Sequence, residues 1–387
     1  MKLRKPALIL HRIVGVIVGL LLIVIGLTGS ALVFWHEIDH SRNLTLMEVV
    51  PQGDRISLET VVKNARQAYP DFFPDSIELA RSPELTHQVW MKSKDDKWNK
   101  IYINPYTGAV LGSRQWGQTL MTFIYDIHKT LLAGETGQIV VGICGILLLL
   151  LGITGLILWP GWKRFGQGFK IRWNSPKQLV NYDIHKVGGI LSAAFLILLA
   201  STGAALAFNS QFESVIYGLT NTQTPAEPKS TLVPNKSPIA LNAALQKASL
   251  ALPEGEATYI SLPSEPDVAF RVTMKLPQEA TPSGRSNVYV DQYRGEVLRV
   301  ENSLKLPLGT KIMNALFPMH MGNFGGIPMR ILYVFIGFTP TVLFLTGFAL
   351  WRQRQWAIAR RKEAMFQSQS LPEGKEKILT TTAWPWI

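Results

Sequence analysis

The sequence predicts an α-helical membrane protein with four transmembrane helices in two parallel span-domain-span repeats, each repeat carrying a small α+β domain outside the bilayer. Three observations carry that class. Four apolar runs, at 9–34, 139–159, 190–208 and 327–351, are each of the length a helix needs to cross a bilayer, about 20 residues. Basic residues gather on one side of those runs. The chain also repeats itself, run for run.

The elements follow in order. Residues 1–35 hold transmembrane helix 1. Lys2, Arg4 and Lys5 before it imitate a secretory signal, but its apolar part exceeds the about 7–15 residues of a cleaved signal core, so an uncleaved anchor is expected. Residues 36–127 form the first outward domain: an amphipathic helix in "SLETVVKNARQAY" (57–69), a strand in "HQVWMKS", and a hairpin in "KIYINPYTGAVLGS", with Gly108 where a positive φ is wanted. Residues 128–160 hold helix 2 and the segment before it, 161–184 a cytoplasmic loop, and 185–208 helix 3. The second outward domain, 209–319, opens with a linker rich in Pro, Thr and Ser (222–238). It then repeats the helix ("IALNAALQKASLAL"), the strand ("VAFRVTMKL") and the hairpin ("NVYVDQYRGEVLRV", with Gly295). Each domain is expected to have its own three- or four-stranded sheet. Residues 320–352 hold helix 4 with its preceding segment, and 353–387 a cytoplasmic tail, loosely ordered after Met365.

Charge sets the orientation. Arg and Lys precede the first run, fill the loop between the second and third (Lys163, Arg164, Lys170, Arg172, Lys177, Lys186) and follow the fourth (Arg352, Arg354, Arg360, Arg361, Lys362), while the long loops are balanced. Both termini and the middle loop are therefore expected to be cytoplasmic. The net charge of +12 then reflects topology and contact with anionic lipid rather than nucleic acid. The single cysteine, Cys144, excludes an internal disulfide and a cysteine-ligated cluster.

The repeat is residue-specific. "LHRIVGV…LTGSALVF" matches "IHKVGGI…STGAALAF": His11 with His185, Thr28-Gly29 with Thr202-Gly203 and Phe34 with Phe208, each 174 positions apart. "DIHKTLLAG…GITGLILW" matches "PMHMGNFGG…FLTGFALW": His128 with His320, Gly134 with Gly326, Thr154-Gly155 with Thr346-Gly347 and Trp159 with Trp351, each 192 apart. A parallel repeat implies a pseudo-two-fold axis along the membrane normal.

Of the seven histidines, four (His11, His128, His185, His320) occupy these matched positions. His11 and His185 lie near the cytoplasmic ends of their spans, His128 and His320 on the outward side. The axis brings like to like, in two pairs at two levels, although the motifs alone do not fix the pairing. A lone interfacial histidine is most often an amphipathic side chain at the headgroups. Four at matched positions among apolar spans point to function. Paired neutral imidazoles can ligate a b-type haem iron from both sides, and no C-x-x-C-H attachment is present, so such a haem is non-covalent. Arg12, Lys186, Lys129 and Arg330 lie near the ligand levels as candidates for pairing propionates. Irons at opposite faces lie about 30 Å apart, so the segments holding His128 and His320 need to dip inward, unless His36 takes part or an aromatic side chain relays.

Weaker candidates remain. "HEIDH" sets His36 and His40 four residues apart on a helix, with Glu37 and Asp39 between, as a metal site or a substitute haem ligand. The second half has Ser210 and Ser214 there. His87 reads as a surface residue of a strand. The four Thr-Gly pairs read as helix-packing devices, and Trp35, Trp159, Trp162 and Trp351 as interfacial anchors.

"LHR-x-x-G" opening a span, "TG" late in it, "DIHK-x-L-x-x-G-x-x-G" before the next and "TGL-x-LW" closing it, with PepSY-type outward domains, resemble the PepSY-associated transmembrane family from about Leu3 to Trp351. Members include bacterial inner-membrane ferric-siderophore reductases. The resemblance implies a multi-pass protein of the inner membrane with periplasmic domains. It implies two b haems per chain on His11, His128, His185 and His320, and one-electron reduction of Fe(III) in a siderophore or other chelate. The family also includes members with other redox partners. The chain has no Gly-rich dinucleotide fingerprint after a strand, so the electron donor is expected to be external, a quinol or a cytoplasmic reductase. Two other classes compete. A non-redox PepSY binding or regulatory protein with a peptide or peptidase partner predicts no chromophore. A chelate transporter predicts intramembrane carboxylates along a path, which the apolar runs lack.

Overall fold

The computed structural model describes residues 3–223 and 226–369. Helix α1 (Arg4–Leu32) is the first of four helices long and apolar enough to cross a membrane. A break at residues 33 and 34 leads into α2 (Trp35–Arg42) and the single turn α3 (Leu44–Met47). The amphipathic α4 (Leu58–Ala68) follows, started by Ser57, whose side chain accepts the Thr60 N–H that the first turn leaves unpaired. Strands β1 (Phe72–Glu78), β2 (His87–Ser93), β3 (Trp98–Ile103) and β4 (Val110–Gln115) form an antiparallel meander, and Gly108 turns the last hairpin at φ +74°. Strand β4 feeds α5 (Leu120–Thr130), capped by Thr119, and then α6 (Gly134–Leu158).

The turn between α5 and α6 is tight. Leu131, Leu132 and Gly134 all take positive φ (50°, 61° and 56°). This left-handed stretch reverses the chain, so that α5 packs on both α1 and α6. Position 134 suits glycine because a side chain is strained at this positive φ, although a Cβ would meet no neighbouring atom within 4 Å.

The rest of the chain runs through α7 (Phe165–Phe169), the third span α8 (Lys177–Ala207), α9 (Asn209–Thr220), α10 (Leu241–Ala251), strands β5 (Glu256–Ser261), β6 (Phe270–Lys275), β7 (Ser286–Val290) and β8 (Val297–Glu301), α11 (Leu308–Met321) and α12 (Gly326–Gln369), which contains the fourth span. Gly326, at φ +62°, opens α12 as Gly134 opens α6. In the bundle α1 packs on α6 and α12, and α8 on the same two helices, giving a closed ring of four. Small residues admit the close contacts: Gly26 lies against Gly337, and Gly145 against Ala204. Val14, Val18, Leu22 and Cys144 form a buried cluster between α1 and α6.

The two long loops do not make two separate sheets. Their strands join into one eight-stranded antiparallel sheet of order β4-β3-β2-β1-β5-β6-β7-β8. The seam is the pairing of β1 with β5, in which Ile77 faces Ile260. Two backbone bonds flank it, Leu79 N–H to Thr258 O (2.9 Å) and Leu262 N–H to Asp75 O (2.8 Å). Helices α4 and α10 both pack on one face, and the core under them crosses the seam: Leu58 and Ile77 from one loop join Leu241, Ala244, Ile260, Val272 and Met274 from the other. The physical reason is that β1 and β5 would each be a bare edge, which mutual pairing removes.

Other readings change. His87 is no surface residue: it points into this core and is 3% exposed. Trp159 is no outward anchor: it is buried against Trp162, Phe165 and Phe169, with its indole N–H directed to Gly168 O. Trp162 stays exposed. Lys2 and most of the tail expected to be loose after Met365 lie outside the described residues.

Candidate functional site

The four matched histidines meet in two pairs. His11 on α1 faces His185 on α8, and His128 on α5 faces His320 on α11, each pair with ring centroids 6.1 Å apart. Two imidazoles on opposite sides of one metal, each bound through a ring nitrogen at about 2.0 Å, place their centroids about 6 Å apart. The separation therefore fits one metal between each pair, with two protein donors and the remaining positions left to a planar ligand. Among the described residues no group of three or more His, Cys, Asp or Glu side chains could hold a metal ion. Two imidazoles per metal is the number of protein donors that a bis-histidine haem takes, so these residues fit that group.

Each ring is held by a threonine. His11 Nδ1 lies 2.9 Å from Thr154 Oγ1, His128 Nδ1 3.2 Å from Thr28 Oγ1, His185 Nδ1 2.9 Å from Thr346 Oγ1, and His320 Nδ1 2.9 Å from Thr202 Oγ1. The four hydroxyls donate their single proton back to the carbonyl four residues earlier: Thr28 to Val24 (2.7 Å), Thr154 to Leu150 (2.7 Å), Thr202 to Leu198 (2.8 Å) and Thr346 to Val342 (2.6 Å). The threonine oxygen is then left as an acceptor, so the imidazole Nδ1–H must donate. For His128 the same Nδ1 also lies 2.9 Å from Ile25 O, which can only accept. This tautomer leaves the Nε2 lone pair free in all four rings. A metal-ligating histidine is held in this way, with its other ring N–H given to a fixed acceptor.

The glycine after each threonine completes the seat. A Cβ at Gly29, Gly155, Gly203 or Gly347 would stand 2.9, 3.5, 3.0 or 3.1 Å from the Cε1 of His128, His11, His320 or His185. The Thr-Gly pairs therefore do more than allow helices to approach: each seats an imidazole. The seats are exchanged within each half, because α1 carries His11 and holds His128, while α6 holds His11. The second half does the same with His185, His320, Thr202 and Thr346. The sequence carried a signal for this, since the separation from His11 to Thr28 and from His185 to Thr202 is the same, but nothing in it assigned a threonine to a histidine on another helix.

Depth is also defined. His128 sits opposite Ile25 and Thr28, one turn inside the end of α1 at Leu32. From His11 to Thr28 the helix rises about 26 Å.

The remaining candidates have other partners. Lys186 is nearly buried, and its ammonium donates to Asp183, Gln167 O and Lys170 O, which occupies all three of its protons. Arg330 forms a two-point ion pair with Glu37 (2.5 and 2.8 Å), donates to Val33 O and covers the Phe34 ring. Neither is left for a propionate. Arg12 donates to Leu8 O of its own helix, and Lys129 lies over the Tyr125 ring at 5.8 Å. The "HEIDH" side chains diverge: His36 stacks on Trp35, Glu37 pairs with Arg330, Asp39 with Arg114, and His40 Nε2 with Glu48 (3.2 Å). They do not converge on one point, so His36 and His40 make no shared metal site.

Comparisons with known proteins follow this geometry. An uncharacterized protein of Pseudomonas aeruginosa, PA4219, is 24% identical over 258 residues, a match covering 61% of this chain and 64% of that one. A crystal structure described as that of a lipoprotein from Clostridium difficile 630 (CD1622) aligns with 66% of this chain and 98% of its own at 11% identity, with a TM-score of 0.27, too low to carry an argument. The family model of the PepSY-associated TM region matches residues 8–354, a span that includes all four paired histidines and their threonines, and this multi-pass membrane protein belongs to that family.

Proposed function

We propose that the chain is a di-haem b electron-transfer protein of the bacterial inner membrane, built as two span-domain-span repeats with periplasmic PepSY-like strands, which reduces Fe(III) in a siderophore or other chelate on the periplasmic side. The observation that carries this reading is the double histidine pair, 6.1 Å between ring centroids at both levels, with every Nδ1–H held by threonine. Haem bound there would supply one-electron chemistry.

The chain's own residues do the rest. The threonines and glycines fix the imidazoles, so a ligand set is ready before the metal arrives. Apolar side chains of the four spans exclude water around the rings, which are themselves among the few ionisable groups inside the bundle. The basic residues at the chain ends and middle loop support a cytoplasmic location for those segments, and the balanced loops a periplasmic one. The donor is external. A quinol would give two electrons and release two protons, enough for two Fe(III) to become two Fe(II). Reduction favours iron release because hard oxygen donors hold Fe(III) more tightly than Fe(II).

The test is a visible spectrum of the detergent-purified protein from haem-replete cells, oxidised and dithionite-reduced, with haem and protein quantified. The expected result is a sharp reduced α-band of low-spin b haem at two haems per chain, falling to one when His11 or His185, or His128 or His320, is replaced by alanine. A colourless protein overturns the proposal and favours a non-redox binding or regulatory module with a peptide or peptidase partner.

A further inference from the structure

The helix-covered face of the sheet needs no tryptophan: Val61, Val89, Met91, Ile101 and Ile103 fill its first half. The opposite face, where an antiparallel sheet is ordinarily polar, is where the tryptophans are. Cross-strand register sets Arg114, Lys100 and Trp90 side by side from β4 to β2, and continues the same row through Arg271, Tyr289 and Arg299 from β6 to β8. In the next row Trp98 pairs with Trp116, whose N–H donates to Trp98 O at 2.9 Å. The rings form a line. Tyr125 to Trp116 is 5.6 Å between centroids, Trp116 to Trp90 is 6.0 Å, and Trp90 to Trp98 is 6.4 Å. The line begins one helical turn before His128, on the same helix α5, and runs out across the sheet.

Cations lie over and beside these rings. Lys100 Nζ is 4.3 Å from the Trp90 centroid and Lys92 Nζ 5.5 Å from that of Trp98, but Lys100 also pairs with Glu78, Lys92 with Asp96 and Arg114 with Asp39. Arg271 is exposed, donates to Ser261 Oγ, and has no ion-pair partner among the described residues. A set of interfacial anchors would ring the bundle at one depth. This line instead leaves the bundle along the sheet.

We propose that this face binds the Fe(III) chelate, and that the chelate is an aromatic anion of the catecholate or phenolate class. The inference rests on the reductase reading for the iron, and on the face itself for the ligand class. Flat rings stack on indole faces regardless of their substituents, and Arg271, the cation of this row without an ion-pair partner among the described residues, attracts the negative charge of the oxygen donors. An aliphatic hydroxamate chelate offers no ring to stack. A chelate seated on Trp90 and Trp98 lies at the outward end of the route that passes His128.

The test uses Ga(III), which has the charge of Fe(III) and is not reduced here, so binding is read apart from electron transfer. Calorimetry on the full-length protein in detergent compares the Ga(III) complex of a hexadentate catecholate chelator with that of a hexadentate hydroxamate. The catecholate complex is expected to bind at least tenfold more tightly, and Trp98→Ala to weaken it about tenfold. Arg271→Gln, an exposed change that leaves the core intact, is expected to weaken it several-fold. Equal affinity for the two complexes, or unchanged catecholate binding in both variants, overturns the proposal. Selective binding by a protein that proves colourless would keep this site and remove the reductase reading.

Discussion

A neutral imidazole can offer a metal only the nitrogen that carries no proton, so the partner of the other nitrogen decides which face of the ring is chemically useful. In the bundle that partner is threonine, four times over. Thr154→Val keeps the shape but removes the acceptor for His11 Nδ1–H. Haem affinity at the inner pair, His11 and His185 (His128 and His320 being the outer), is expected to fall about 10–100-fold, as when such a second partner of a metal-bound histidine is lost, while Thr154→Ser retains it. Titrating haem into the apoprotein and recording the redox midpoint of the inner site checks this. Full affinity and an unmoved midpoint in the valine variant would reduce the threonine to packing. His87 shows the opposite tautomer. The Ala80 N–H donates to its Nδ1 at 3.1 Å, so that nitrogen must stay unprotonated. Burial, and then the charge of Arg55, lower its pKa to about 4. The unfolded chain, with a pKa near 6.5, binds the proton more readily, so this contribution is whole above about pH 6.5 and is lost as pH falls towards 4. The loss approaches about 3 kcal/mol. Urea unfolding of the sheet at pH 7 and pH 4.5 is expected to show the drop, and His87→Gln to flatten it.

At the scale of elements, α5 and α11 matter most, because each brings a histidine to the bundle without being a span. The four apolar runs, the matched histidines and the hairpin glycines were legible in the sequence, since periodicity, length and turn chemistry are local properties. The seats were not. Thr28 and His128 are 100 residues apart on different helices, and apolar periodicity shows that a residue is helical without showing which neighbour its side chain meets. The same limit hid the Gln167 and Lys170 carbonyls that bind Lys186 and the Glu37 carboxylate that pairs with Arg330, whereas Asp183, three residues before Lys186 on α8, is a local partner. The seats make a separable prediction. Gly29→Val thrusts side-chain atoms at His128, and Gly155→Val at His11. The first is expected to lose the outer haem only and the second the inner haem only, each halving the pigment per chain in the reduced spectrum. Loss of both haems in either variant would mean that the two levels do not form independently.

On the scale of the whole molecule, support is exchanged within each half while the histidines pair between halves, so a metal group bound at either level ties the halves together. The sheet ties them a second time. Nothing local in β1 or β5 announces that they will pair with each other rather than face solvent, because an edge strand and a seam strand share the same alternation. The fused sheet is consequently one object, with a core that runs from α4 to α10 across Ile77 and Ile260. Met274, fully buried on β6, lies in that core far from β2 and β3 in the strand order. Met274→Ala removes buried volume worth about 2–5 kcal/mol. If the sheet unfolds as a unit, hydrogen exchange of the β2 and β3 amides accelerates by the same factor as that of β6 and β7, although no atom near β2 has changed. If the two loops were separate domains in contact, the β2 and β3 amides would keep their wild-type protection, and the seam would be only an interface between two independently stable sheets.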